Sequence, residues 1–312
     1  RRLPGARPMT IPAPALSLGR EDVLRAAERL TGEVRWTPLV RLTPGLLAKP
    51  EHLQHSGSFK FRGAVNAFHA LRPSAVVCGS SGNHGIAVAT LGARTGVPVT
   101  VVMAEDASPR KADLIHGLGA AVVRVPGGVA ERDRQARKIA QRCGALLLPS
   151  SDHELVVAGA GTVALEVLAE QPRVETLFVP VGGGGLLAGS CLAAHGQGVR
   201  VVGVEPAEAP RYARSLALGR PVLVPPCLTI ADGLRGQRPG EVILPIVRQC
   251  VDDLVTVTDE EVLDALELLR HHGIPAEPSG AVALAGALRT GWTGLATAVV
   301  SGGNTTTRKA VR

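Results

Sequence analysis

The sequence predicts an α/β protein built on two parallel sheets, with a ligand cleft between them. Three observations carry this. Apolar strands of about four to eight residues alternate with helical stretches of about 10 to 15, the pattern of sheets covered on both faces. Aromatic residues make up 2% of the chain, so the core must come from Val, Leu, Ala and Ile. The 37 Gly and 23 Pro punctuate many short elements and suit such a fold better than a β-sandwich. At 312 residues the chain can form one large domain or two ordinary ones.

Taken in order, residues 1–16 are broken by Pro4, Pro8, Pro12 and Pro14 and read as a flexible tail without a continuous signal segment. Arg20–Leu30 has helical periodicity, and Trp36-Thr37-Pro38-Leu39 marks an extended turn into the body. The βα alternation opens with the strand Ala75–Cys78, the glycine-rich turn Gly79–Gly85 and a helix over Ile86–Thr95. It continues through the strand Val97–Ala104, the helix Pro109–Gly117, the strand Ala121–Val125, the helix Val129–Arg142 and the strand Ala145–Leu148. After a break at Pro149-Ser150-Ser151 come a helix over Gly161–Glu170, a strand over Thr176–Val181, a helix over Leu186–His195 and a strand over Arg200–Glu205. Thr258-Asp259-Glu260-Glu261 forms a capping box for a helix through Leu269. Ala298–Val300 is a last strand that runs into Ser301-Gly302-Gly303-Asn304. Ligands of open α/β sheets bind at the carboxyl ends of strands, so the loops after strands should carry the chemistry.

Charge and composition exclude several functions. The net charge is +7, but the bases are 29 arginines and five lysines scattered among acids, with no basic tract and almost no aromatics for base stacking. No nucleic-acid partner is expected. No apolar run approaches the roughly 18 to 20 residues of a membrane helix, so a soluble chain without a membrane partner is expected. Cys78, Cys143, Cys191, Cys227 and Cys250 lie 65, 48, 36 and 23 positions apart, too far for a zinc knuckle or a redox pair. They read as reduced, mostly buried thiols of a cytoplasmic protein.

Three loops stand out. Gly182-Gly183-Gly184-Gly185 lies between a strand and a helix, where backbone amides and the helix N-terminus together can cradle a phosphate. No Gly-Lys-Ser/Thr follows, so it is not a Walker loop. A dinucleotide remains open here: Gly183-x-Gly185-x-x-Ala188 fits that fingerprint, and Glu205 ends the next strand 22 residues after Gly183. A structural turn is the third reading. In Ser56-Gly57-Ser58-Phe59-Lys60-Phe61-Arg62-Gly63-Ala64, a lysine stands between two of only four phenylalanines. It is either a surface lysine at a helix start or a desolvated amine, its pKa lowered by apolar surroundings and by Arg62, able to form a Schiff base. Ser80-Ser81-Gly82-Asn83-His84-Gly85 follows a strand and is either a polar helix cap or a seat for a carboxylate and a ring hydroxyl.

GSFKFRGA at 57–64, SSGNHG at 80–85, PVGGGGLLAG at 180–189, ADGL at 231–234, EPSGA at 277–281 and SGGN at 301–304 occur in the order found in one family. The chain resembles the fold-type II, tryptophan synthase β-like, pyridoxal-phosphate enzymes, and among them the threonine/serine dehydratases and serine racemases. The resemblance spans nearly all of the chain from Arg20 to Asn304. It favours pyridoxal 5′-phosphate over a dinucleotide.

The resemblance implies roles for individual residues. Lys60 would carry the cofactor covalently, with Phe59 against its ring. Asn83 would bind the ring 3′-oxygen, Ser301 would face the pyridine nitrogen, and Gly182, Gly183, Gly184, Gly185 and Leu186 would hold the phosphate. Ser81, Gly82, Asn83 and His84 would surround the substrate carboxylate, and Ser81 would be the acid–base group on the face opposite Lys60. A small domain over 70–152 would hinge on a large one made of 17–69 and 153–312, usually in a homodimer. No regulatory amino-acid-binding domain is expected after residue 312. Where cation-binding relatives pair the residue at Glu205 with the Ala209 carbonyl and an acid, this chain has Arg211, so an Arg211–Glu205 pair and no metal are expected. Ala160 stands where glutamine is common, and Thr305-Thr306-Thr307 replaces the usual acidic or amide residues; either departure could alter the substrate pocket. The activity implied is deamination of L-threonine or L-serine to 2-oxobutanoate or pyruvate and ammonia, with racemisation of a β-hydroxy amino acid as the alternative. Intact Lys60, Asn83, glycine loop and Ser301 argue against a silent binding protein.

Overall fold

A computed structural model describes residues 16–105 and 107–305. The tail expected at 1–16 lies outside the described residues except for Leu16, which packs against the main core. Thr306 and Thr307 also lie outside them.

In chain order the elements are α1 (Arg20–Leu30), β1 (Val40–Thr43), β2 (Leu46–Pro50), α2 (Lys60–Leu71), β3 (Val76–Gly79), α3 (Asn83–Thr95), β4 (Val99–Ala104) and α4 (Pro109–Gly117). Then follow β5 (Ala121–Val125), α5 (Val129–Cys143), β6 (Leu146–Leu147), α6 (Glu154–Glu170), β7 (Thr176–Pro180), α7 (Gly185–Ala194) and β8 (Arg200–Pro206). The chain ends through α8 (Arg211–Ala217), α9 (Ile243–Cys250), β9 (Asp253–Val257), α10 (Asp259–His271), α11 (Pro278–Thr290) and β10 (Ala296–Val300).

Two sheets form. One has six strands in the order β1-β2-β10-β7-β8-β9, the other four in the order β5-β4-β3-β6. All pairings are parallel except β1 with β2, an antiparallel edge hairpin. Both sheets have a core of small aliphatic side chains, Val157, Val163 and Leu187 among those of the larger, and Val76, Ile86 and Val101 among those of the smaller. The capping box at Thr258 forms with Glu261, opening α10 as the sequence predicts.

Some expectations are corrected. α3 starts at Asn83, three residues before Ile86, because the Ser80 hydroxyl accepts the amides of Gly82 and Gly85 at 3.2 and 3.0 Å and closes the turn early. α6 starts at Glu154 rather than Gly161, with His153 Nδ1 accepting the Leu155 amide at its start. All five cysteines are free, but only Cys78 and Cys191 are buried; Cys143 is exposed and the other two are intermediate. Ala160 is 1% exposed in the core around Val157, so it does not line a pocket directly.

Candidate active site

Lys60 is the first residue of α2. Its ammonium donates to the Ser150 carbonyl at 2.6 Å and sits 5.0 Å from the centre of the Phe59 ring. Burial lowers its pKa to about 8. Arg62 plays no part in that shift, contrary to the sequence expectation, because its side chain turns into a separate ionic cluster. There it bonds Glu51 at 2.7 and 2.8 Å and Glu166 at 2.6 and 2.9 Å, and Lys49 bonds Glu166 at 2.5 Å. Burial acts to raise the Glu51 pKa, yet Arg62 holds it below the usual carboxylate range. The cluster ties α2 to β2 and α6 directly behind the lysine.

The predicted motifs converge around this amine. The Phe59 amide donates to the Ser301 carbonyl at 3.0 Å, and Ser58 bridges to Gly302. Ser301 is 5% exposed, and its hydroxyl donates to the Ser279 carbonyl at 3.4 Å. Asn83 donates to Glu277 and accepts from Asn304 Nδ2 at 2.9 Å. Glu277 is 3% exposed, and burial raises its pKa to about 7. Ser81 and Gly82 are half-buried on the same loop. The His84 imidazole turns away, its Nε2 bonding the Leu148 carbonyl at 3.0 Å. Burial lowers its pKa to about 3, so it is neutral and offers an anion only its backbone amide at the start of α3.

The glycine loop lies across from Ser151, whose side chain a Cβ on Gly183 would strike. Gly184 caps α7 at φ +91°, and a Cβ there would collide with the Tyr212 hydroxyl. Among the described residues, no backbone oxygen accepts from the amides of Gly182 to Leu186. They gather at the positive end of α7. Glu205, at the end of β8, accepts the amides of Tyr212 and Ala213 at 3.0 and 2.9 Å and lies 3.8 Å from Arg211, both side chains fully buried. Burial raises the Glu205 pKa, and Arg211 opposes that rise. This is the predicted pair.

Several residues here were not assigned from sequence. Ser150 and Ser151 look like a break in the sequence, although they follow β6 at its carboxyl end, where the strand rule places ligands. Glu277, Asn304 and Tyr212 bear on the site through contacts across 194, 221 and 29 positions, which no local pattern displays.

The chemistry of the donors suits pyridoxal phosphate. A lysine amine with lowered pKa, unpaired amides for a dianion, a neutral hydroxyl and a primary amide meet in one place. The buried Ser58 hydroxyl also has no partner among the described residues.

The profile of the family described as pyridoxal-phosphate dependent enzyme matches residues 30–300. An L-threo-3-hydroxyaspartate ammonia-lyase of Saccharomyces cerevisiae is 39% identical over 281 residues, covering 86% of each chain. An L-threonine ammonia-lyase of Geobacter sulfurreducens is 39% identical over 90% of this chain and 74% of that one. The structure of maize serine racemase superposes with a TM-score of 0.88 at 32% identity, covering 93% of this chain and 94% of that one. The chain belongs to the fold-type II pyridoxal-phosphate-dependent enzymes, in the branch that holds ammonia-lyases and racemases. Its cofactor is pyridoxal 5′-phosphate.

Proposed function

We propose that this enzyme deaminates L-threonine or L-serine, giving 2-oxobutanoate or pyruvate and ammonia. The observation that carries the reading is Ser301, a buried neutral hydroxyl at the position proposed to face the cofactor's ring nitrogen. Pyridoxal phosphate supplies an electron-withdrawing system conjugated to the substrate nitrogen. A hydroxyl cannot keep the ring nitrogen protonated as a carboxylate would, so negative charge at Cα is best relieved by expelling the β-hydroxyl.

The residues divide the work. Gly182, Gly183, Gly184, Gly185 and Leu186 hold the phosphate through their amides, and Phe59 packs against the ring. Asn83 holds the ring oxygen. The amides at the start of α3, with Ser81 and Gly82, take the substrate carboxylate. Lys60, freed by the substrate amine, removes the α-proton as general base and can return it to the departing hydroxyl, so that one water leaves. The unsaturated amine released takes up one water and loses ammonia, which balances the reaction.

A second reading, racemisation, is favoured by one observation. The Ser80 hydroxyl is occupied within its own turn, whereas Ser81 beside it is half-buried and would be the acid that the resemblance implies on the face opposite Lys60. A panel of L- and D-serine, threonine and 3-hydroxyaspartate, with 2-oxo acid and enantiomer both measured, decides between them. Deamination predicts oxo acid from L-threonine and L-serine faster than any D-product, and Ser81→Ala largely spares that elimination. D-serine as the main product of L-serine, lost in Ser81→Ala while binding persists, would establish the racemase instead.

A further inference from the structure

The amides of the glycine loop have a direction, and something must set it. In a planar peptide the carbonyl of one residue and the N–H of the next point in opposite directions. Tying carbonyls down on one side therefore aims the following amides to the other. The loop carbonyls are tied in succession. Arg211 Nη2 donates to the Val181 carbonyl at 2.7 Å, and Arg211 Nε donates to the Gly182 carbonyl at 3.0 Å. The Tyr212 hydroxyl donates to the Gly183 carbonyl at 2.7 Å, and the Ala188 amide donates to the Gly184 carbonyl at 2.9 Å. The next amides, from Gly182 to Gly185, are those with no backbone acceptor among the described residues.

The clamp is itself fixed. Arg211 is 0% exposed and also donates to the Ala209 carbonyl at 2.8 Å. Glu205 stands 3.8 Å away and accepts the next two amides of α8. The Tyr212 hydroxyl accepts the Gly240 amide at 3.2 Å, which fixes its orientation. A guanidinium against two successive carbonyls also polarises those peptides, making their N–H groups better donors.

We propose that Arg211, seconded by Tyr212, is the positioning residue of the phosphate site: it touches neither cofactor nor substrate, but holds the loop carbonyls back so that the amides face the phosphate. The inference rests on the reading that this loop receives the cofactor phosphate. Its consequence is selective. Losing Arg211 weakens whatever depends on the phosphate and leaves the bond to Lys60 and the ring contacts in place.

The test strips cofactor from the purified enzyme and titrates it with pyridoxal phosphate and, separately, with pyridoxal, which lacks the phosphate. The parent should bind pyridoxal phosphate far more tightly. Arg211→Met should lower that affinity at least about tenfold, as expected when hydrogen bonds from a charged group are lost, and change pyridoxal affinity less than about twofold. Arg211→Lys, which can reach one carbonyl but not span three, should recover part of the preference. Tyr212→Phe removes one bond to the loop, together with the one its hydroxyl accepts from the Gly240 amide, and should shift the same ratio by about threefold, providing the measurement if Arg211→Met does not fold. Equal weakening of both ligands in these variants, or an unchanged preference, would overturn the role of Arg211. A parent that binds both ligands equally would instead overturn the phosphate loop, and the inference with it.

Discussion

The two loops proposed to hold anions are supported in opposite ways. The glycine loop, at the cofactor end, is clamped from behind by buried Arg211 and Tyr212 of its own sheet unit. The SSGNHG loop, at the proposed substrate end, is tied within its own unit by Ser80 and His84 and, unlike the glycine loop, also across the cleft. Asn83 bonds Glu277 and Asn304, and Lys111 of α4 pairs with Asp232 at 2.9 Å, all joining the four-stranded unit to the six-stranded one. Buried contacts within one unit break only when that unit unfolds, whereas contacts between units can exchange without disturbing either core. On the proposed assignment, the fold would hold the cofactor end fixed and leave the substrate end adjustable.

Lys60 is proposed to serve both ends, so its loss should give the largest effect. Lys60→Ala should cut 2-oxo acid formation by at least about 10³-fold, since it removes both the covalent bond and the general base. Thermal unfolding should be little changed, because the amine is a desolvated group whose one hydrogen bond among the described residues is to Ser150. Borohydride reduction of the parent should mark the peptide carrying Lys60. A mark on Lys49, Lys111, Lys138 or Lys309 would remove the assignment.

The next test sets one glycine of each loop against the other. Gly184 is left-handed, with Tyr212 in the path of any Cβ, so Gly184→Val should cost cofactor affinity by more than about tenfold. Gly82 has φ −149°, and the nearest atom to an added Cβ is Lys111 Nζ at 4.0 Å. Gly82→Ala should leave cofactor affinity within about twofold and act on KM alone. Titration of both stripped variants with pyridoxal phosphate checks this, and equal losses would erase the distinction between the loops.

The same distinction explains what was legible in the sequence. The glycine tetrad, the lysine between phenylalanines and most of the strands are legible because backbone geometry and burial restrict residue types locally. The hairpin of β1 and β2 is not, nor is β9. Lys49 in β2 breaks its apolar pattern, and what permits a 0%-exposed lysine is Glu166, 117 positions away. Glu277 was visible only as part of a motif. Its role depends on Asn83, brought to it by the packing of two sheets. Residues that act through local backbone are readable; those that act through a distant charge are not.

Glu277 also makes the substrate end sensitive to pH. A glutamate titrates ordinarily at 4.5, and here burial moves it to about 7. Between those values the folded enzyme holds a proton that the unfolded chain has released, so its contribution to stability declines as pH rises from 4.5 to about 7 and is constant above. The decline amounts to roughly 3 kcal/mol for this group alone. Denaturant unfolding at pH 5 and pH 8 should show Glu277→Gln with less of this decline than the parent, and a flatter KM profile. Identical stability profiles would mean that Glu277 is ionised throughout.

The smallest expected effect is at the clamp of the cofactor end. Arg211 places its guanidinium 3.8 Å from Glu205 and bonds the Ala209 carbonyl at 2.8 Å, so the one buried carboxylate there already has a permanent cation. A divalent ion brought to the same carboxylate would face that charge at close range, with no compensating acid at position 211. Glu208, the nearest acid in sequence, accepts the Leu228 amide at 3.2 Å and is engaged elsewhere. Magnesium or a chelator should therefore change kcat/KM on L-threonine by less than about twofold, the ordinary scale of ionic-strength effects on exposed charges. Several-fold activation by magnesium, abolished in Glu208→Gln, would show that Glu208 can swing in as a ligand. The cofactor end would then be adjustable too, and the contrast between the two loops would fail at its fixed side.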